Sequence, residues 1–297
     1  MNYLEFKDNG FKRAVEKQLG LSQSQLTSQN IRSIKGIVVS TSSEEILPIP
    51  WILDGSAFNM HKPNLYFNIA ETENGMWEED LKLFRHILSL YLFVPVGKLD
   101  FLRQFLNLSD LYVGKGSTTK DWSFLEYLHY MTYLFLNGVS FPDLEILQRL
   151  SVSQNKLISR SGKLSTRHNR LTCLCMTQCN INDVSPLDNC KWLTELDLSH
   201  NNITEFSSLL GLQSLYSLTL RYNCLSDLSF ITDDNCATIN HLNLRHNNIV
   251  DITSLVHMSE ISNLYLGYNP IVDFSILDQM QLRSHDIKGY STRRKRM

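Results

Sequence analysis

A nine-residue phrase recurs through the second half of the chain and constrains its fold more than any other feature. The phrase has leucine or isoleucine at positions one, four and six, and asparagine at position nine. Its clearest copies begin at Leu193, Leu215, Ile239 and Ile261, so they lie 22, 24 and 22 residues apart. A fixed period in this range is the signature of one structural unit stacked on copies of itself. The sequence therefore predicts a solenoid, which offers an extended surface rather than a closed pocket.

Each part of the phrase has a physical role. Positions four to six alternate as in a short strand with one face in a core, so the intervening residues point outward. The asparagine lies where the chain turns, and its amide can pair with backbone groups of neighbouring coils. We predict that these side chains form a structural ladder: Asn155, Asn201, Asn223, Asn247 and Asn269.

A second pattern follows the phrase. An acidic residue is followed two positions later by serine or threonine, as in Asp227 and Ser229 or Asp251 and Thr253. Free amide N–H groups at the start of a helical turn need such acceptors. The pattern predicts a short helical turn on the convex side of each coil. The pairs are Asp183–Ser185, Glu205–Ser207, Asp227–Ser229, Asp251–Thr253 and Asp273–Ser275.

The phrase continues toward the N-terminus in weaker form. A copy beginning at Leu171 has Cys179 in place of the asparagine, and another begins at Leu147 and ends at Asn155. Further copies begin at Met131, Leu108 and Ile87, which gives nine strands between residues 87 and 266, with an earlier one around residues 34–39. The predicted class is α/β: a leucine-rich-repeat solenoid, a curved right-handed superhelix with one short parallel strand per repeat.

The first 86 residues differ in character. Phe11, Val15 and Leu19 form one apolar face at helical spacing, and Gly20 is a natural helix stop. Because a solenoid needs a cap over its first coil, we predict that this helix is an N-terminal cap. We assign residues 1–33 to the helical cap, 34–86 to irregular or degenerate first repeats, 87–277 to leucine-rich repeats, and 278–297 to a C-terminal cap with a basic tail. An extended piece is expected around Leu65–Phe67.

The composition suits a soluble globular chain. An apolar content of 43% is enough for a continuous core, and the net charge of −2 argues against a partner held mainly by electrostatics. No run of apolar residues is long enough to span a membrane. The opening residues do not resemble a secretory signal, so we expect a cytoplasmic protein or one exported by a signal-peptide-independent route.

The six cysteines are not arranged like a disulfide framework. Cys190 and Cys236 take apolar positions of their coils, as packing cysteines in a reducing compartment would. Cys173 and Cys175 flank Leu174 and are expected to be exposed thiols with no role. A zinc or redox site would need further ligands, for which only His200 is at hand, so we predict no metal and no cofactor.

The form Leu-x-x-Leu-x-Leu-x-x-Asn-x-Ile-x-Asp-Ile resembles the 22-residue, internalin-type class of bacterial leucine-rich-repeat proteins. The segment from Phe11 to Gly20, followed by Leu26-Thr27 and the segment from Ile31 to Ile34, is similar to the helical entry that precedes the first repeat in many of them. The resemblance implies a curved parallel sheet that presents its concave face to another macromolecule. Intracellular members of this repeat class, including a regulatory subunit of protein phosphatase 1, act as scaffolds.

Catalytic motifs are not found. Residues 113–118 read Val-Gly-Lys-Gly-Ser-Thr, which departs from a phosphate-binding loop because its first glycine is missing and Gly116 follows Lys115. We therefore predict a non-catalytic protein-binding module, scaffold or effector-like. The alternative is a regulatory or targeting subunit of an enzyme such as a phosphatase.

The partner is predicted to be another protein, and the chain itself is expected to be a monomer. Nucleic acid is not predicted as a partner. Two basic segments, residues 156–170 and the tail 293–296, could contact phosphate groups, although a solvated loop and a solvated terminus are the simpler interpretation.

Aromatic and arginine side chains identify the predicted binding face. In the strand register, the midline of the concave face comprises Tyr91, Tyr112, Phe135, Ser151, Cys175, Asp197, Thr219, Asn243 and Tyr265. A neighbouring row comprises Phe93, His200, Arg221, Tyr222, Arg245, His246 and Tyr268. Such side chains often anchor interfaces, although large residues also merely cover strand surfaces. We predict that Tyr222, Arg245, Tyr265 and Tyr268 carry much of the affinity, with the N-terminal aromatics as a second contact.

Overall fold

The computed structural model describes residues 3–21, 26–41, 63–141, 144, 146–147, 157–158, 164–165, 171–206, 212–232 and 236–286. Contacts divide the chain into two compact units. The first unit comprises residues 1–140 and 153–170, and the second comprises residues 141–152 and 171–297. The four segments that we assigned from the sequence stay predictions.

The first unit contains a parallel sheet. Its strands are β1 (Gly36–Ser40), β2 (Leu65–Asn68), β3 (Ser89–Leu92), β4 (Asp110–Val113) and β5 (Tyr133–Asn137). Their spatial order is β2-β1-β3-β4-β5, and the register aligns Leu65, Ile37, Leu90, Leu111 and Leu134 as one buried row. The strands predicted around residues 34–39 and from the copies that begin at Ile87, Leu108 and Met131 are thus confirmed. The extended piece predicted at Leu65–Phe67 is also a strand, β2. It pairs with β1 alone and forms the edge of the sheet, although it follows β1 in the chain. Two further strands of this unit, β6 (Leu157–Ile158) and β7 (Leu164–Ser165), form an antiparallel pair.

The predicted N-terminal helix is confirmed as α1 (Asn9–Leu19). Asp8 caps its start by accepting a hydrogen bond from the Phe11 amide at 2.9 Å, and Gly20 ends it with a left-handed φ of 64°. The Phe11 ring packs edge-on against Phe67 of β2, with centroids 4.9 Å apart, and against Phe84 at 5.8 Å. The helix therefore covers the edge strand of the sheet.

Two carboxylates, Asp8 and Asp80, connect the residues just before α1 to the segment that follows β2. Asp80, in α2 (Trp77–Leu81), accepts hydrogen bonds from the backbone amides of Lys7 at 2.7 Å and Asp8 at 2.8 Å. Burial of Asp8 opposes its ionisation, but hydrogen bonds from Thr72 and from the amides of Phe11 and Asn74 outweigh it and lower the Asp8 pKa. These bonds tie α1 to residues more than sixty positions away.

The second unit contains the clearest repeats. Its strands are β8 (Cys173–Thr177), β9 (Glu195–Asp197), β10 (Ser217–Thr219), β11 (His241–Asn243), β12 (Asn263–Tyr265) and β13 (Ser284–Asp286), parallel and in chain order. The register aligns Leu174, Leu196, Leu218, Leu242 and Leu264 in the core, as the phrase requires. The strand β13 was missed, because His285 stands where the other strands have leucine.

Short 3-10 turns lie along the chain between consecutive strands, and one precedes β1. In the first unit they include Asn30–Ser33, Ile69–Glu71, Lys82–Phe84, Asp100–Gln104 and Ser123–Tyr127; in the second, Ser185–Asn189, Thr253–His257 and Ser275–Gln279. The predicted acids accept hydrogen bonds at their starts: the Thr253 amide donates to Asp251 at 2.8 Å, and the Ser275 amide donates to Asp273 at 2.8 Å. Asp183 and Asp227 accept in the same way, whereas Ser207 lies outside the described residues.

The asparagines at position nine make the hydrogen bonds of a ladder. The Asn223 amide nitrogen donates to the carbonyls of Leu198 and Leu220, each at 3.0 Å, while its oxygen accepts from the Ile203 amide at 3.1 Å. Equivalent bonds are made by Asn201, Asn247 and Asn269. Each asparagine thus joins its own coil to the one before it.

One predicted copy is only partly visible. Leu147 is buried, and its amide donates to the Leu144 carbonyl at 2.9 Å, as the Leu193 amide does to Cys190 at 3.0 Å. The rest of that copy, including Ser151 and Asn155, lies outside the described residues, as do most of the basic segment 156–170 and all of the tail 293–296. Within the described ranges, no helix combines the length and hydropathy needed to cross a bilayer.

Candidate functional site

The strand residues that point away from the core form the predicted concave face, and in the first unit this face is closed. We expected Tyr91, Tyr112 and Phe135 to face solvent, and this is wrong: their exposed fractions are 2%, 4% and 0%. The half-buried Phe93 stacks on the Tyr112 ring with centroids 4.4 Å apart, and burial raises the Tyr91 pKa. Strand alternation tells which face a ring lies on, but not whether that face is covered.

The cysteine pair was also predicted to be exposed, and this too is wrong. Cys173 and Cys175 of β8 are buried, and burial raises the pKa of both thiols well above the usual range. Such thiols are poor nucleophiles and poor metal ligands, because both roles need the thiolate. Over the described residues, no group of three or more histidine, cysteine or acidic side chains is arranged to hold a metal ion.

The second unit brings four rings together in one stack, which we call the ring ladder: His200, Tyr222, His246 and Tyr268. Their centroids are 4.2, 3.9 and 4.0 Å apart, and adjacent planes are within 11° of parallel. Tyr222 is 41% exposed and Tyr268 is 56% exposed. All four occupy position eight of the phrase, directly before the ladder asparagine. The repeat pattern predicts that these four side chains lie in one row, but it does not predict that their rings stack.

The backbone at position eight explains the stacking. His200, Tyr222, His246 and Tyr268 have φ values of 57°, 55°, 55° and 62°, a left-handed conformation that few non-glycine residues adopt. Their conformation is held by bonds between coils, such as that from the Tyr222 amide to the Arg245 carbonyl at 2.9 Å. Because each coil repeats this geometry, each ring leaves the backbone in the same direction and meets the next one.

Two half-buried arginines precede ladder rings and form what we call the arginine pair, Arg221 and Arg245. The Arg245 guanidinium carbon lies 4.4 Å from the Tyr265 ring centroid, a cation–π contact. The His241 ring, on the neighbouring strand β11, lies 5.3 Å from the Tyr265 ring. His241 was absent from our predicted site, although its outward position in the phrase could have indicated it.

Strand β9, which pairs with β10, carries two carboxyl groups on its outward side, Glu195 and Asp197. Burial raises the pKa of Glu195 to about 7, and it also raises the pKa of Asp197 although the Ser199 amide donates to that carboxylate at 2.8 Å. Both are half-buried. The His200 pKa is lowered, first by burial and then by the charge of Arg221. The described face therefore has two carboxyl groups on β9 and two arginines on the coils of β10 and β11, and the charge of Arg221 acts on Asp197 to lower its pKa against the effect of burial.

The Glu195 environment leads to a stability prediction. Its folded pKa lies above the ordinary value of 4.5, so the ionised carboxylate destabilises the fold, fully so above about pH 7 and not below pH 4.5. After allowance for solvent screening, we expect Glu195→Gln to stabilise the protein by on the order of 1 kcal/mol at pH 8 and to have little effect near pH 4.5. Thermal melts at the two pH values measure this difference.

The matched control is Glu260→Gln, on an exposed turn of the same unit. It should leave the melting temperature nearly unchanged at both pH values. A Glu195→Gln protein that is no more stable than the parent at pH 8 would show that this carboxylate is well solvated.

The strands, the phrase and the asparagine bonds together define a leucine-rich-repeat fold of the α/β class. A family model described as leucine rich repeats, in two copies, matches residues 191–233. None of the curated proteins matches the chain.

Solved structures identify the form of this fold. An internalin, InlF, from Listeria monocytogenes is 20% identical, with a TM-score of 0.65 over 95% of this chain and 69% of that one. Internalin C2 from the same organism is 19% identical, with a TM-score of 0.57 over 97% of this chain and 100% of that one. The functional domain of InlJ, also from Listeria monocytogenes, is 16% identical with a TM-score of 0.54, over 95% of this chain and 60% of that one. The predicted resemblance to internalin-type leucine-rich-repeat proteins is confirmed for the fold.

Proposed function

We propose that this chain is a non-catalytic protein-binding module, scaffold or effector-like, whose partner docks on the concave face of the second unit. The observation that carries the proposal is the ring ladder beside the arginine pair. Tyrosine and arginine are the side chains that most often anchor protein interfaces. Here they are exposed or half-exposed and already ordered by stacking, so binding requires little further loss of side-chain entropy.

The first unit is not part of the proposed binding face. Its three midline rings are buried, so a second contact through Tyr91, Tyr112 and Phe135 would require the covering groups to move. The concave face of the second unit instead offers Tyr222, Tyr265 and Tyr268 within three consecutive coils. Asp197 and His200 lie at one border of this surface and are included in it.

A double substitution tests the proposed face. Changing Tyr222 and Arg245 together to alanine should weaken binding to the partner recovered by pull-down at least tenfold, because two anchors and one cation–π pair are lost. The melting temperature should shift by no more than a few degrees, since Tyr222 is 41% exposed and Arg245 is half-buried. Titration calorimetry with the purified partner measures the affinity.

The chain offers a matched control in its first unit. Arg103 and Tyr127 form a similar pair, with the guanidinium carbon 5.3 Å from the ring centroid, but they lie on adjacent 3-10 turns. Changing both to alanine should leave the affinity unaltered. Equal losses in the two double variants, or none in either, would move the site away from the concave face. A partner that proves to be a stoichiometric enzyme would assign a regulatory role to the same surface.

A further inference from the structure

We infer that a groove between the starts of the 3-10 turns Thr253–His257 and Ser275–Gln279 binds a segment of a partner protein in which an aliphatic residue is flanked by lysine or arginine. We call it the turn groove, and its side chains that matter here are Val250, Asp251, Val272, Asp273 and Ile276. None of the described residues that line it belongs to a strand or to the ring ladder, so this site goes beyond the proposed function.

The aliphatic side chains of the turn groove are exposed. Val250 is 50% exposed and Val272 is 81% exposed, and the half-buried Ile276 adds to the apolar lining. Both valines stand three residues after a ladder asparagine, where the two preceding coils have Thr204 and Ser226. The fold therefore accepts polar side chains at this position, and core packing does not explain the valines. Adjacent exposed aliphatic groups favour association, because a partner that covers them removes apolar surface from water.

The size of the turn groove suits a side chain of a protein rather than a cofactor. Its volume is about 250 Å³, and it is open to solvent. Sites for small molecules and cofactors are larger, roughly 300–1,000 Å³, and enclose most of the ligand. A groove of this size accepts one aliphatic side chain and leaves the residues on either side of it at the rim. The side chains of Val250 and Val272 have few rotamers, so ordering them on binding costs little entropy.

Two ionised carboxylates lie at the rim of the turn groove. Asp251 and Asp273 accept hydrogen bonds from the amides of Thr253 and Ser275, each at 2.8 Å, and these bonds lower the pKa of both carboxyl groups. The charge of Asp251 acts in the opposite direction on the pKa of Asp273, so the two carboxylates repel each other. None of the described residues that line the groove is basic.

The charge of the rim determines the kind of partner. A lysine or arginine beside the bound aliphatic residue would lie against Asp251 and Asp273 and relieve their repulsion. A carboxylate or phosphate at the same place would increase it, which disfavours acidic segments, nucleic acids and anionic lipids. The aliphatic lining and the acidic rim therefore fit one occupant, a basic segment of a protein that carries an aliphatic residue.

A peptide selection tests the inference with the full chain. A random dodecapeptide display library is selected on the parent chain and, in parallel, on the Asp251→Asn/Asp273→Asn variant. Asparagine also accepts a hydrogen bond from an amide at a helix start, so the variant loses the charges and keeps its turns. We expect peptides with an aliphatic residue beside lysine or arginine on the parent chain. The best of them, measured by fluorescence anisotropy, should bind the variant about fivefold more weakly, and it should also bind the parent chain more weakly at high salt.

Two further variants separate the turn groove from the other turns. Val250→Thr/Val272→Ser introduces the residue types of the two preceding coils, so the fold should be kept while the affinity for the peptide falls about tenfold. The matched control is Asp183→Asn/Asp227→Asn, which changes the same turn-capping acids in coils without the valines. Its affinity should equal that of the parent chain. Circular dichroism shows that each variant is folded.

Each other result counts against the inference. A selection that yields no peptide, peptides without basic residues, or equal losses on the control variant would overturn it. Peptides that are lost only on the Tyr222→Ala/Arg245→Ala protein would assign binding to the concave face, so the proposed function would stand and the turn groove would fall. A dimer in sedimentation equilibrium that the valine variant dissociates would make a second copy the occupant. A tenfold gain in peptide affinity when residues 293–296 are changed to glutamine would make the chain's own basic tail the occupant. Either result would overturn the assignment to a partner protein.

Discussion

Replacing Phe11 by alanine is expected to lower the free energy of unfolding of the first unit by about 3–5 kcal/mol. Phe11 is fully buried, and its ring contacts Phe67 and Phe84 with centroids 4.9 and 5.8 Å away. Removal of the ring leaves a cavity between α1 and the edge strand β2, and it loses two edge-on aromatic contacts. Urea unfolding followed by tryptophan fluorescence measures the loss, because the ring of the buried Trp77 lies 6.4 Å from the Phe67 ring.

A second substitution on the same helix separates packing from helix propensity. Gln18 is exposed on α1, and Gln18→Ala should change the unfolding free energy by less than about 0.5 kcal/mol. If Phe11→Ala costs as little as Gln18→Ala, α1 does not stabilise the sheet edge and the cap assignment fails.

Asn223→Ala is expected to cost on the order of 1–3 kcal/mol in the second unit. The substitution removes the acceptor for the Ile203 amide and the donor for the Leu198 and Leu220 carbonyls. These groups lie inside the turn between coils, where water cannot replace the lost partner. Thermal unfolding followed by circular dichroism gives the size of the loss.

Asn248→Ala provides the comparison, because Asn248 is exposed and follows a ladder asparagine directly. Its own amide bonds to the Leu225 carbonyl through the backbone, which alanine preserves. The melting temperature of this variant should match the parent. Equal losses in the two variants would mean that position nine does not carry the coil-to-coil bonds.

The repeat phrase was enough to predict the strand register of the second unit. Leucines at positions four and six alternate with outward residues, so a one-residue slip would expose the whole core row, and only one register is compatible with burial. The aligned Leu196, Leu218, Leu242 and Leu264 follow from this constraint. The acids that start the 3-10 turns could be predicted for a similar reason, since free amides at a helix start need acceptors.

The buried rings of the first unit could not be predicted in this way. Tyr91, Tyr112 and Phe135 satisfy the same alternation as Thr219 and Tyr265, yet they are buried while the latter are half-exposed. What covers a sheet face depends on contacts between distant segments, and these leave no periodic signal. The two cysteines of β8 were misplaced for the same reason.

The ring ladder was predicted as a row but not as a stack. Stacking requires the left-handed backbone of residues such as Tyr222 and His246. Glycine and asparagine in a sequence indicate that conformation, whereas tyrosine and histidine do not. The bonds between coils impose it at position eight, so it becomes visible only when the coils are placed beside one another.

The order β2-β1-β3 at the start of the first sheet has a consequence for the timing of folding. In the second unit each strand pairs with the one just made, so coils can add one at a time as the chain leaves the ribosome. At the N-terminus, α1 cannot pack on the sheet until residues 65–84 have been synthesised, because Phe11 packs against Phe67 and Phe84. Closing this long loop raises the contact order, so the oldest part of the nascent chain should acquire its native protection late.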